Sequence, residues 1–64
     1  MNKWKWNADQ TALVNTDYII RLTIEPPMLA QRDFIVVAIL RLGSEIMYRG
    51  TGQECVDYLN EFGI

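Results

Sequence analysis

The chain contains no histidine and a single cysteine, Cys55. Without imidazole it lacks the commonest metal ligand and the usual neutral-pH general base, and one thiol cannot close an internal disulfide. Structural zinc and a disulfide framework are both excluded. An excess of positive charge is missing too: six Lys and Arg against eight Asp and Glu give a formal charge of -2, with the basic residues scattered. A phosphate backbone or an anionic lipid surface meets no sustained basic patch, so nucleic acid is disfavoured as a partner. Long apolar runs are absent as well. The longest, Phe34 to Leu40, is far short of a bilayer span. The opening Met-Asn-Lys-Trp-Lys-Trp-Asn leads into no apolar core of a signal peptide, and a cytoplasmic protein is expected.

What is present is apolar. Of 64 residues, 50% are hydrophobic and 22% charged, which excludes intrinsic disorder and predicts one small globular domain over 1–64. A chain this short sits near the lower limit at which a single core holds a fold without disulfide, metal or partner.

The stretch from Phe34 to Tyr48 organises the rest. A continuous β-branched run, then Gly43-Ser44, then a short alternating run predicts a β-hairpin, with glycine supplying the positive φ of a type II′ turn. That turn pairs Leu42 with Glu45, Leu40 with Met47 and Ala38 with Arg49 on one face, leaving Ile35, Val37, Ile39 and Arg41 beside Ile46 and Tyr48 on the other. Upstream, Lys3 to Trp6 alternates as an edge strand, with Trp4 and Trp6 on one side and the lysines on the other. Thr11 to Val14 suits a short strand, and Asn15-Thr16-Asp17 suits a turn closed by side-chain oxygens. Tyr18 to Glu25 alternates as a half-buried strand, with Tyr18, Ile20, Leu22 and Ile24 on one face, until Pro26-Pro27 stops it. Met28 to Asp33 is a connecting loop whose Met28 and Leu29 are exposed unless something meets them. Thr51-Gly52-Gln53-Glu54 matches a capping box, and Cys55, Tyr58, Leu59 and Phe62 at i, i+3, i+4 and i+7 predict an amphipathic helix with Gly63 as its carboxy-terminal cap.

The predicted fold is therefore α+β: a small antiparallel sheet of three to five strands with one C-terminal helix packed on one face. Both faces of the long strand are apolar, yet one helix covers about one of them. With the helix placed over Ile39 and Tyr48, the face of Phe34, Val36, Leu40 and Met47 needs another cover. Trp4 and Trp6, a second copy of the chain or a different protein could supply it. The candidate partner-binding residues are thus Phe34, Val36, Leu40, Met47, Trp4, Trp6, Met28 and Leu29.

Chemistry-bearing groups are few. Cys55 falls in the first turn of the predicted helix, where the dipole can activate a thiol, but its place on the apolar stripe reads as packing. Lys3-Trp4-Lys5-Trp6 has the composition of a single-strand stacking platform with too little charge to serve as one. Gly50-Thr51-Gly52 lacks the lysine and spacing of a phosphate loop. No pair of carboxylates is forced into a cleft. No enzyme activity, cofactor or metal is expected.

Leu13-Val14-Asn15 before Tyr18-Ile19, and Met47 to Thr51 running into Glu54-Cys55 and Tyr58-Leu59, resemble short uncharacterised bacterial and phage proteins with an antiparallel sheet and a C-terminal helix. That likeness, over roughly residues 13–62, implies a fold and no activity. The Asn-x-x-x-Ile portion is also similar to the sheet of some transcription-factor DNA-binding domains, whose basic residues this chain lacks. The expected function is a non-enzymatic protein-binding module acting through an apolar sheet face and the 26–33 loop, self-associating as a homodimer or docking on a host protein. The alternatives are a phage or mobile-element inhibitor that blocks a host or defence protein, and a small dimeric DNA-associated regulator.

Overall fold

The computed structural model describes residues 3–29 and 31–62. In chain order these form β1 (Trp4–Trp6), β2 (Leu13–Asn15), a 3-10 turn (Thr16–Tyr18), β3 (Ile19–Glu25), β4 (Phe34–Leu40), β5 (Gly43–Gly50) and α1 (Gly52–Asn60). The β-branched run of β4 makes it the central strand of an antiparallel sheet ordered β3-β4-β5, while β1 and β2 pair as a separate two-stranded sheet. With α1 packed against them, the architecture is the expected α+β.

Local chemistry explains the joints. Asn15 Oδ1 accepts from the Asp17 N–H at 2.9 Å and starts the 3-10 turn, as its position before Thr16-Asp17 predicts. Thr51 Oγ1 accepts from the Glu54 N–H at 3.1 Å and Glu54 Oε1 accepts from the Thr51 N–H at 2.9 Å, which completes the capping box of α1. A Cβ on Gly50 would stand 2.9 Å from both the Glu54 carboxylate and the Tyr48 ring, so a larger residue at this corner would make those side chains shift. Gly63, the expected cap at the other end, lies outside the described residues.

The β4–β5 hairpin turns two residues earlier than Gly43-Ser44 predicts. Leu40 pairs with Gly43, so Arg41 and Leu42 form the turn and Gly43 opens β5 without left-handed backbone. The physical reason lies at the far end of the strand. The Gly43-Ser44 register would set Arg49 across from buried Ala38, whereas the observed register sets Glu45 there, where its carboxylate accepts from Asn7 Nδ2 at 3.2 Å. In the observed register Arg49 pairs across from Ile35, and its side chain reaches Asp9 as an ion pair. A bulge in β5 between the Val36–Tyr48 and Val37–Ile46 pairs then turns both Met47 and Tyr48 towards the core. A second irregularity, between Ile19 and Arg21 of β3, leaves Ile20 69% exposed and brings Ile19 onto the face of Leu22 and Ile24. The expected alternation from Tyr18 therefore holds only from Leu22 onward.

The helix covers the opposite face of β4 from the one expected. Val36, Ala38, Met47, Cys55 and Val14 form one buried cluster, with Phe34, Leu40, Tyr48, Tyr58 and Leu59 packed around it. The even-numbered side chains of β4 thus meet α1 and β2 together, and the bulge carries Tyr48 to that same side. Ile35, Val37 and Ile39 point the other way, beside Ile46, and among the described residues no helix or strand packs over them. The same alternation sets the small sheet: Lys5, opposite Val14, points inward and Trp4 and Trp6 point outward. Lys5 Nζ rests 4.4 Å from the Phe62 ring centre, Phe62 meets Tyr58 edge-on at 5.4 Å, and Tyr58 stacks on Tyr48 at 4.9 Å.

Asn7 pins this hairpin to the main sheet. Its side chain is 7% exposed, and Oδ1 accepts from the N–H groups of Thr11 at 2.8 Å and Ala12 at 3.2 Å. Its Nδ2 donates to Thr11 Oγ1 at 3.0 Å and to Glu45 Oε2 at 3.2 Å. Beside it the Ala8 N–H donates to the Ile46 carbonyl at 2.7 Å. The loop so clamped holds Gln10 at φ 57°, a backbone few non-glycine residues adopt.

Two outcomes test this packing. Asn7→Ala strands buried N–H groups and should cost about 1–3 kcal/mol in denaturant unfolding, whereas a loss below about 0.5 kcal/mol would mean the clamp is ornamental. Burial pushes the Tyr48 and Tyr58 phenols up, with the nearby Glu54 and Glu61 carboxylates adding to the two respectively. Phenols that hold protons more tightly folded than unfolded contribute stability that is complete below about pH 10 and is lost as pH rises through the folded values. Thermal melts should therefore drop above that pH, and Tyr58→Phe, which keeps the stack, should flatten the drop; an equally steep decline in the variant contradicts the assignment.

Candidate interaction surface

Where the β4–β5 turn meets β2 the surface is concave and apolar. Trp4, Leu13, Val14, Tyr18, Leu40 and Leu42 line a groove of about 420 Å³, with Arg41 and Glu45 as its charged lining residues. Alternation builds it. Leu13 lies across from Trp6 and diagonal to Trp4 on the outer face of the small sheet, Tyr18 closes the 3-10 turn, and the early turn leaves Leu42 at the hairpin tip. Leu13 is 50% exposed, Tyr18 70% and Leu42 98%. Isolated exposed leucines are ordinary, but several around one concavity form a patch of the kind that marks binding surfaces.

The predicted site residues divide. Val36 is fully buried and Met47 is 3% exposed, and Phe34 faces the helix, where a Cβ on Gly52 would touch its ring at 3.7 Å. Val36 and Met47 are core and Phe34 is partly buried against it, because α1 and β2 occupy the side expected to be bare. Leu40 packs on the core and also lines the groove, as does Trp4. Trp6 is 53% exposed and borders a smaller depression with Asn7, Tyr48 and Tyr58. Met28 and Leu29 are exposed in the loop after Pro27, away from the groove residues. Leu13, Tyr18 and Leu42 were not among the predicted residues. Leu13 carried a signal, since it continues the outward alternation of Trp4 and Trp6 through the pairing; Leu42 carried none, because the Gly43-Ser44 turn assigns it to the ladder.

Three of the six basic residues are engaged locally. Lys3 Nζ lies 3.2 Å from Asp17 Oδ2, Lys5 covers the Phe62 and Tyr58 rings, and Arg49 pairs with Asp9. Arg21, Arg41 and Arg49 stand on three different elements. Among the described residues, no group of three or more acidic or sulfur ligands is placed to hold a metal ion, and no helix is long and apolar enough to cross a membrane. Comparison with known proteins finds no matching family model, no matching curated protein and no matching solved structure. The fold and its surfaces are therefore the whole basis for a functional reading.

Cys55 is fully buried in the core cluster. Burial pushes its thiol up, and the Glu54 and Asp33 carboxylates push in the same direction, against a smaller opposing contribution from a backbone hydrogen bond at Gly50. The position that could activate a thiol at a helix start thus leaves it protonated at neutral pH. A disulfide reagent should label native protein at neutral pH at least about a hundredfold more slowly than denatured protein, as expected for a thiol reached only through unfolding. Comparable rates in the two states would show an accessible, activated cysteine.

Proposed function

We propose that this chain is a non-enzymatic protein-binding module whose contact surface is the apolar groove between β2 and the β4–β5 turn, with Met28 and Leu29 as a second exposed apolar point. The observation that carries the reading is the exposure of Leu13, Tyr18 and Leu42 around one concavity in so small a chain. Each large side chain left in water forgoes roughly 1.5–3 kcal/mol of burial, a large share of the few kcal/mol that hold a domain of this size. A partner that inserts an apolar side chain recovers part of that term. The lining suits such a partner: aromatic and aliphatic walls, with Arg41 and Glu45 as polar contacts.

A DNA-associated regulator finds less support, because Lys3, Lys5 and Arg49 are already engaged and no basic stripe is left. Inhibition of a host or defence protein is one biological use of such a groove and adds no residue to it.

Tagged wild-type protein should capture a partner from the lysate of its source cell, and Leu13→Asp with Leu42→Asp should abolish capture. Both side chains are exposed, so the variant's unfolding midpoint should stay within a few degrees of wild type. Undiminished capture by the folded double variant would remove the groove from the function.

A further inference from the structure

The two edges of the three-stranded sheet are finished differently. β5 is closed: the bulge at Met47 interrupts it, the Ala8 N–H takes the Ile46 carbonyl and Arg49 is tied to Asp9. β3 is open. Among the described residues no other element gives its free edge a backbone hydrogen bond, and Arg21–Glu25 is regular, without proline, glycine or bulge. An exposed edge of that kind is a template for another strand.

We propose that β3 pairs with the β3 of a second copy of this chain, antiparallel and about a two-fold axis at Thr23. Charge selects both the occupant and the register. Arg21 and Glu25 form no ion pair among the described residues, and at four positions' separation on one strand they stand about 13 Å apart, too far to pair with each other. Antiparallel pairing centred on Thr23 sets each Arg21 opposite the other copy's Glu25, twice by symmetry, and sets Leu22 opposite Ile24 on the face that carries the core. A slip of two residues either way loses both charge pairs, and a slip of one sends the apolar and charged side chains to opposite faces. Pro26, which has no N–H, ends the ladder on one side, and the irregularity at Ile20 ends it on the other. The regular segment and the self-complementary segment are the same five residues, 21–25. The occupant is thus a second copy, and the surface is separate from the apolar groove.

Sedimentation equilibrium of the full chain from about 10 µM to 1 mM, the range suited to a small interface, should show a monomer–dimer equilibrium. Arg21→Glu and Glu25→Arg should each raise the dissociation constant about tenfold or more by setting like charges opposite each other at two places, and the two together should restore it. Both sites are exposed, and far-UV circular dichroism reports whether each variant is folded. As an independent readout, Thr23→Cys should cross-link to its symmetry mate under mild oxidation, since directly opposed residues lie about 4.5–5.5 Å apart at Cα, while buried Cys55 stays reduced. A monomer throughout the range, a dimer indifferent to the single reversals, or a failure of the double reversal to restore association would overturn the proposal. The groove variants Leu13→Asp and Leu42→Asp leave β3 intact, so they should dimerise normally, and loss of capture is a separate result from loss of dimer.

Discussion

Two consecutive residues of β5, Met47 and Tyr48, turn to the same side of the sheet, and the rest of the molecule depends on that departure from alternation. In a regular strand one of them would face away from the helix. The bulge lets Met47 fill the centre of the cluster with Val36 and Cys55 while Tyr48 stacks on Tyr58. It also interrupts the β4–β5 ladder at Met47, next to Ile46, whose carbonyl receives the Ala8 N–H. One irregularity therefore supplies a core side chain, the base of the Tyr48–Tyr58–Phe62–Lys5 series and an anchor for the amino-terminal hairpin. Bulges sit at sheet edges for this purpose, because they re-aim side chains and end pairing together.

That arrangement commits both covers to one face. A helix stripe of Cys55, Tyr58 and Leu59 is too narrow to bury a three-stranded sheet alone, and Val14 of β2 completes the roof. The opposite face keeps Val37 nearly dry by flanking it with Thr23 and Ile46, its pairing neighbours on β3 and β5, rather than by stacking a layer on it. Short β-branched side chains standing side by side on three strands shield one another's flanks, which is how a sheet of this size carries an apolar central strand without a second helix.

Signals that act within a few residues were legible in the sequence. The capping box at Thr51 and Glu54, the Asn15 oxygen before the 3-10 turn, the helix stripe as far as Leu59, the Pro26 stop and the apolar centre of β4 stand as expected, because each depends on chemistry confined to one turn or one alternation, whereas Phe62 falls beyond the end of α1. Assignments that needed register were not legible. Gly43-Ser44 is a sound turn signal, yet a turn preference of about a kilocalorie yields to long-range pairing, in which Glu45 opposite Ala38 meets Asn7 and Arg49 opposite Ile35 meets Asp9. Once the turn moved, every inference about which face is bare moved with it, so Val36 and Met47 went from candidate surface to core and Phe34 became partly buried against it. Asn7 carries no signal of its own, because nothing local distinguishes it from Asn60. Its role as a buried hub depends on Glu45, a partner 38 positions away.

The open edge of β3 and the apolar groove bear on each other through stoichiometry. A five-residue edge pairing buries little area and gives a weak dimer, and a groove of about 420 Å³ lined by a handful of side chains gives weak capture. The proposed two-fold pairing would present two such grooves on one continuous sheet. A partner with two suitably spaced apolar anchors then meets the second groove at an effective concentration set by the sheet, and avidity can exceed either single affinity by about 10²–10⁴ without a new contact. Geometry decides whether that gain is realised: a partner whose anchors cannot span the two grooves gains nothing from the dimer. If both proposals hold, the dimer would favour bidentate partners, a discrimination that composition alone, with its scattered charge and exposed leucines, does not supply.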